Sequence, residues 1–239
     1  MNYQDITLIV VAAGTGSRFG ADMPKQYLDM QTSEGRMPVI IATLKRLTSM
    51  LPDAETIVVV STMWEEHMAA LLDRYNLSKS VKVVCGGATR TDSVSNALQQ
   101  VADGCRYIGV HDGVRPLVTH DVVTDAIDAV KNGDWVGAIP AIEVTDSLRL
   151  LCDTGGSEPV DRSRYRAVQT PQFFKADALI DAYRNRDPYG TFTDDASVLA
   201  AAGQTAITLT KGSPYNIKIT HPLDIKIAEI YSQTSIISK

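Results

Sequence analysis

Cysteine is scarce in this 239-residue chain. The three present, Cys85, Cys105 and Cys152, are too far apart for a C-x-x-C redox pair or a metal knuckle. Reduced, packed thiols in a cytoplasmic protein are therefore expected. The four histidines, His67, His111, His120 and His221, show no ligand spacing. No apolar run approaches the roughly 20 residues of a membrane helix. No charged start followed by an apolar segment and a cleavage site is visible, so neither a membrane span nor a signal peptide is expected. Basic residues are not in excess: 23 Lys and Arg against 28 Asp and Glu leave a net charge of -5. That balance argues against a nucleic-acid partner bound through bulk positive charge, although a local cluster of cations could still take a small anion. Repeats, low-complexity tracts and domain linkers are also missing. A chain of this length, 44% apolar and 21% charged, fits one domain spanning 1–239 with a sizeable core.

What is present is concentrated first at residues 6–28. Ile6 to Val11 is an apolar run that reads as a buried strand. It breaks into a loop of small residues around Gly14 and Gly16, which delivers Arg18 and Lys25. Such a loop brings backbone N–H groups close to an anion, because no side chain intervenes. Two commoner phosphate loops are excluded. A dinucleotide fingerprint needs a third Gly or Ala where Phe19 stands, and a P-loop needs Gly-Lys-Ser/Thr where Pro24-Lys25-Gln26 stands. The plainer alternative is an ordinary strand-to-helix turn with a surface Arg and Lys. Arg18 together with Pro24-Lys25-Gln26 favours a polyphosphate guest, a nucleoside triphosphate.

Strand and helix patterns then alternate. Strands are expected at 56–61, 81–85, 107–110 and 135–139, the last closed by Pro140, with helices at 38–49, 63–75, 92–101 and 119–131. This order predicts an α/β fold, a mostly parallel Rossmann-like sheet with helices on both faces and ligands beyond the carboxyl ends of the strands. Three loops follow strands and would converge on one crevice: 14–25, 86–93 and 111–116. The pattern falters at 142–168, where a strand at 147–152 and the turn signal Asp153-Thr154-Gly155-Gly156-Ser157 suggest a protruding β-hairpin arm. An exposed hairpin needs covering, and a second copy of the chain would cover it, which predicts a homodimer. The alternative is a hairpin folded back on its own domain. Helices at 176–186, 194–202 and 222–232 follow, with short strands at 206–210 and 215–219.

Within the loops, His111-Asp112-Gly113-Val114-Arg115-Pro116 puts a carboxylate and a guanidinium three residues apart. A carboxylate at a phosphate site needs a cation, and Mg²⁺ held by Asp112 is one solution; a local Asp112–Arg115 ion pair is the other. Gly86-Gly87-Ala88-Thr89-Arg90-Thr91-Asp92-Ser93 offers close backbone approach and then hydroxyl and Arg donors, or else Thr91 or Asp92 is simply a helix cap. Asn216-Ile217-Lys218-Ile219-Thr220 places Lys218 between two apolar residues, where strand alternation would turn it into the cleft or, more plainly, toward solvent. No Ser-His-Asp set or reactive cysteine is evident. The chemistry suggested is cation-assisted phosphoryl or nucleotidyl transfer.

Taken in order, residues 12–18, 24–26, 86–94, 111–116, 160–162, 169–172 and 216–220 resemble the motifs of the 2-C-methyl-D-erythritol 4-phosphate cytidylyltransferase family over nearly the whole chain. The resemblance implies a sheet of the nucleotide-diphospho-sugar transferase type. It also implies transfer of CMP from CTP to methylerythritol phosphate, with release of pyrophosphate, Mg²⁺ as cofactor and a dimer made through the arm. Arg18, Lys25 and Lys218 would be catalytic. Ala12, Ala13, Gly14, Gly16, Gly87, Arg90 and Ser93 would bind the nucleotide. Asp112, Arg115, Ser147, Arg162, Thr170 and Thr193 would bind the acceptor, Ser147 and Arg162 reaching the partner subunit's site. Departures from the family's pattern are Ser147 for a usual Thr, Ser17 for a frequent second Arg, and Gly113-Val114 for a pair such as Ala-Ala, which predicts a looser turn. Two rival readings are a ribitol-5-phosphate cytidylyltransferase, disfavoured by Arg162 in the arm, and a non-catalytic nucleotide-binding regulator, disfavoured by the joint presence of Arg18, Lys25, Asp112 and Lys218.

Overall fold

The computed structural model describes residues 3–14, 23–153 and 155–234. In chain order the elements are β1 (Ile6–Val11), β2 (Asp29–Thr32), β3 (Gly35–Pro38), α1 (Val39–Met50), β4 (Glu55–Val60), α2 (Glu65–Arg74), β5 (Val81–Cys85), α3 (Arg90–Leu98), β6 (Tyr107–Asp112), α4 (His120–Asn132), β7 (Gly137–Glu143), β8 (Arg149–Leu151), β9 (Ser157–Pro159), β10 (Arg166–Val168), β11 (Gln172–Lys175), α5 (Ala176–Arg184), α6 (Asp195–Ala201), β12 (Ile207–Lys211) and α7 (Pro222–Ser232).

β1 is the centre of the main sheet. It pairs in parallel with β4 on one side and β6 on the other, and β5 adds in parallel beyond β4. The strand is apolar on both faces because both faces are covered. Ile6, Leu8 and Val10 pack with α1, α2 and α4, while Ile9 packs with α3, α5 and α6. β4 repeats the alternation, with Val58 and Val60 on the first face and Ile57 and Val59 on the second. The result is the three-layer α/β sandwich expected from the βα order.

The other half of the sheet departs from the simple pattern. β11 lies between β6 and β7, antiparallel to both, so the sheet is mixed, though most of its strands are parallel. β12 pairs in parallel with β7, and β10 pairs antiparallel with it at residues 141–143. Residues 166–175 thus run along β7 as two pieces, interrupted around a cis Thr170–Pro171 peptide. Pro140 does not close its strand: β7 continues through it to Glu143. Its carbonyl accepts from Gln169 N at 2.7 Å in the gap between β10 and β11. The missing N–H therefore faces a place where no ladder bond is due. Residues 215–219 are not a strand either. Ile219 N donates to Val114 O, just past β6, at 2.9 Å, and Ile219 is anchored by burial beside Met30, Val39 and Val114.

The hairpin β2–β3 was not apparent in the sequence pattern; it packs against α7 and leads through Pro38 directly into α1. β8 and β9 form a separate two-stranded hairpin with every side chain exposed, including Leu150 and Leu151. α3 begins at Arg90, earlier than the apolar pattern suggests, because the Thr89 hydroxyl accepts the Asp92 N–H and caps the first turn.

Sheet packing is tight where β6 meets β11. A methyl group on Gly109 would lie 2.5 Å from Phe173 and 2.9 Å from Leu8. Gly109→Ala should cost about 1–3 kcal/mol through overpacking. In urea unfolding this lowers the midpoint without changing the slope, and Phe173→Leu in the same chain recovers part of the loss. A midpoint equal to the parent's would show that the sheet yields at this point.

Candidate active site

The chain leaves β1 toward β4 and β5 on one side of the sheet and later returns through β6 on the other side. The carboxyl ends of β1 and β6 therefore diverge and leave a crevice, the usual ligand position in such sheets. Val11 and Asp112 are register partners at that edge, so the loop after β1 and the carboxylate at the end of β6 face the same opening. A cavity of about 390 Å³ lies there, lined by Ala12, Ala13, Gly14, Lys25, Gly87, Arg90, Ser93, Asp112 and Lys218, among others. A shallower hollow of about 920 Å³ lies at the other end of the sheet, between the end of α1 and the start of β5. Its site is the amino end of the strands, where the topology opens no crevice.

Asp112 organises the floor of the cavity. Lys218 Nζ is 3.0 Å and Arg115 Nε 3.2 Å from its Oδ2, and Arg90 Nε is 3.7 Å from its Oδ1. Burial pushes this carboxyl up, but the charges of Lys218, Arg90 and Arg115 outweigh it and hold it well below the usual carboxylate range. Three cations against Asp112 and Asp195 leave the cluster with a net positive charge. Arg90 is further compensated: its Nη2 donates to Asp195 Oδ2 at 2.8 Å, and Tyr183 OH donates to the other oxygen, Oδ1, at 2.6 Å. Its orientation is thus set by two carboxylates. Arg115 Nη1 donates to Asn216 O at 2.8 Å, which ties it to the segment bearing Lys218.

Beneath these charges runs a buried relay. His111 Nε2 faces the carbonyl of Arg115 at 3.1 Å, and its Nδ1 faces Thr170 Oγ1 at 3.1 Å. A carbonyl can only accept, so the proton sits on Nε2 and Nδ1 accepts from the Thr170 hydroxyl. That hydroxyl oxygen in turn accepts the Asp112 N–H at 3.0 Å. Asn216 Nδ2 donates to the Thr170 carbonyl at 2.9 Å. Thr170 and Asn216 therefore brace the ends of β6 and β11 from behind. Burial lowers the His111 imidazole to about 4, so it is neutral.

The predicted residues fall into four groups. Ala12, Ala13, Gly14, Lys25, Gly87, Arg90, Ser93, Asp112 and Lys218 share the cavity wall. Arg115 and Thr170 are buried just behind it. Thr193 is exposed at the start of α6, and Ser147 and Arg162 are exposed on the segment bearing β8 and β9, where Arg162 donates to the carbonyl of Thr145. Arg18 and Gly16 lie outside the described residues. The turn at Gly113 is not loose: Gly113 N donates to Val11 O at 2.9 Å, Thr43 Oγ1 donates to Gly113 O at 3.1 Å, and a methyl here would sit 2.8 Å from Ile40.

Asp112 does not suit the role of metal ligand. Among the described residues no three His, Cys, Asp or Glu side chains converge on a common point. A divalent ion on Asp112 would meet Lys218, Arg90 and Arg115 at close range, and a single carboxylate cannot offset that repulsion. The carboxylate is the counter-ion of three cations. Asp195, Tyr183 and Asn216 were not legible as site residues. Asp195 follows the helix-capping Asp194, and nothing in the pair Asp194-Asp195 says that the second turns inward to meet an arginine 105 positions away.

A cleft with small-residue loops on one wall and a guarded cluster of cations on its floor is a place for handling polyphosphate, and with this sheet it defines an α/β nucleotidyltransferase. Comparison with known proteins narrows the class. The sequence model of 2-C-methyl-D-erythritol 4-phosphate cytidylyltransferase matches residues 6–234. Proteins bearing that name in Porphyromonas gingivalis and Phocaeicola vulgatus are 41% and 38% identical to this chain, over 225 and 223 residues. The alignments cover 93% of this chain in both cases, and 95% and 97% of the relatives. A solved 4-diphosphocytidyl-2C-methyl-D-erythritol synthase from Anaerococcus prevotii shares the fold, with a TM-score of 0.80 at 23% identity over 98% of this chain and 99% of its own. The Thermus thermophilus 2-C-methyl-D-erythritol 4-phosphate cytidylyltransferase gives 0.73 at 26% identity over 95% and 98%. The chain belongs to the 2-C-methyl-D-erythritol 4-phosphate cytidylyltransferase family.

The site sets two acid responses of the same sign in different pH windows. His111 takes a proton in the unfolded chain below about 6.5 but in the folded chain only below about 4. Stability should therefore fall on acidification between these values, by roughly 3 kcal/mol from this group. Asp112 is held low in the folded chain, so its stabilisation is present above about pH 4 and lost below it. In denaturant titrations, His111→Gln flattens the decline between pH 6.5 and 4.5. Asp112→Asn costs about 3 kcal/mol or more at pH 7, and the gap to the parent narrows below pH 4. Parallel pH profiles for the parent and His111→Gln would contradict the neutral buried imidazole.

Proposed function

We propose that this chain transfers CMP from CTP to 2-C-methyl-D-erythritol 4-phosphate and releases pyrophosphate, a step of non-mevalonate isoprenoid synthesis. The observation that carries the proposal is the pairing, in one cavity, of Lys25 beside the Ala12–Gly14 loop with Lys218 and Arg90 around Asp112, which Arg115 braces from behind. A binding module would need only the first set of cations. Transfer between two phosphates needs a second set to hold the attacking phosphate against the first.

In this reading an oxygen of the acceptor phosphate attacks the α-phosphorus of CTP in line. The new P–O bond forms as the bond to the bridging oxygen breaks, and that oxygen leaves with pyrophosphate. Lys25 and, from the family resemblance, Arg18 take up the charge that accumulates on the triphosphate. Ala12, Ala13, Gly14, Gly16, Gly87 and Ser93 hold the nucleotide, with Arg90 at its edge. Lys218, Arg115 and Asp112 position the acceptor, with Thr170 and Thr193. Mg²⁺ as cofactor would be held by the phosphate oxygens of the nucleotide rather than by Asp112, and when bound it would offset the charge that builds up on the leaving pyrophosphate.

The homodimer is part of the same proposal. The β8–β9 hairpin exposes Leu150 at 59% and Leu151 at 81%, an apolar edge that a second copy would cover. Ser147 and Arg162, exposed on that segment, would then complete the partner subunit's site.

Pyrophosphate release with CTP and Mg²⁺ tests the activity. Release is expected with methylerythritol phosphate and not with ribitol-5-phosphate; the reverse preference would reassign the acceptor, and no release with either would favour a regulator. Lys218→Ala is expected to lower kcat/KM by about 10²–10³-fold, and turnover within a few-fold of the parent would remove Lys218 from the mechanism. For the dimer, Leu150→Asp with Leu151→Asp should sediment as a monomer with much reduced activity. A variant that remains dimeric would place the interface elsewhere.

A further inference from the structure

Gln26 stands between Lys25 and Tyr27 in a short 3-10 turn, and only 3% of it is exposed. Its amide nitrogen donates to Ala12 O at 2.7 Å and to Gly14 O at 2.9 Å. Both hydrogens of the amide are thereby used on alternate carbonyls of the loop that follows β1. The turn itself is held from the other side. The Tyr27 ring stacks on Trp64 with centroids 4.7 Å apart and meets His67 edge-on at 5.1 Å. Leu28 O accepts from Val39 N at 3.0 Å, which ties the turn to the start of α1.

We propose that Gln26 is a positioning residue for the nucleotide. It fixes the loop that receives the triphosphate against the segment that presents Lys25. Polarity and length together single out glutamine at this position. A carbonyl turned into the cleft would oppose an anion, and each carbonyl bonded to Gln26 is directed at the amide instead. Glutamate in its place would set acceptors against acceptors. Methionine has the same reach and no donor, and asparagine is one methylene too short. A lysine would supply donors but also add a charge. Only an uncharged amide of this length satisfies both carbonyls and leaves the adjacent Lys25 to provide the charge. The inference rests on the reading of residues 12–14 as the nucleotide loop.

The test uses the full chain with Gln26→Met and Gln26→Glu. CTP and methylerythritol phosphate are titrated separately by calorimetry, alongside kcat and KM for each. Loss of two neutral hydrogen bonds predicts that Gln26→Met weakens CTP binding roughly 10–50-fold, while KM for the acceptor stays within about twofold. Gln26→Glu should be as weak at pH 8, and its KM for CTP should recover several-fold toward pH 5.5 relative to the parent, because a protonated carboxyl regains one donor. Gln26→Met should show no such recovery. A purely structural role would instead lower the melting temperature and affect both substrates alike, with no pH-dependent difference between the variants. If Gln26→Met does not fold, the pH dependence of Gln26→Glu decides, and absence of recovery overturns the proposal. CTP binding by Gln26→Met within twofold of the parent overturns the role of Gln26 alone. Failure of the parent itself to bind CTP overturns the nucleotide-loop reading and the role of Gln26 with it.

Discussion

A single buried carboxylate sets the geometry of this molecule's cleft. Asp112 draws Lys218, Arg115 and Arg90 from three separate segments to within 3.0–3.7 Å. Without it, three like charges would share a small volume of low polarity, and each would turn away toward solvent. With it, the cations are held together but incompletely neutralised. That residue of positive charge is what an anionic substrate meets. Desolvation of the ions opposes the arrangement, so its rationale lies in placing charge more than in adding stability.

The fold explains why one residue can do this. Asp112 is the last residue of a strand buried on both faces, and its backbone N–H is taken by Thr170. Gly113 is pinned between Val11 and Thr43. The carboxylate therefore has little freedom, and its partners adjust to it. Arg90 is oriented from the far side by Asp195 and Tyr183, and Arg115 by the carbonyl of Asn216. Arg90 opens α3, whereas Arg115 and Lys218 lie outside the regular elements. Their order derives from side-chain bonds to the sheet edge.

The legible and illegible parts of the structure divide along the same line. β1 and β4 could be read because they are buried on both sides, which leaves an apolar run that no surface helix would show. β11 could not: Gln172–Lys175 is four residues long, mixed in polarity, and becomes a strand only because β6 and β7 lie on either side of it. Residues 215–219 alternate like a strand yet form none. Lys218 still reaches the cleft, because Ile219 is buried beside Val114 and fixes the direction of the chain. Pro140 reads as a terminator and proves to be mid-strand, since its missing donor coincides with a break in the neighbouring strand that only the assembled sheet reveals.

The α/β class, the crevice at the carboxyl ends of the strands and most residues that line it could be read from the order of residues along the chain. These follow from local pattern: apolar runs, small-residue loops and polar groups just after strands. Tertiary structure alone decided how those residues are used. Of the two roles that the sequence leaves open for Asp112, the counter-ion is the one built here, and Lys218, 106 positions later in the chain, joins Arg115 in it. Arg90 is shared between two carboxylates because Asp195, at the start of α6, comes within 2.8 Å of it at the start of α3. Electrostatic roles depend on distances of a few ångströms between segments far apart in the chain, and no local pattern encodes such distances.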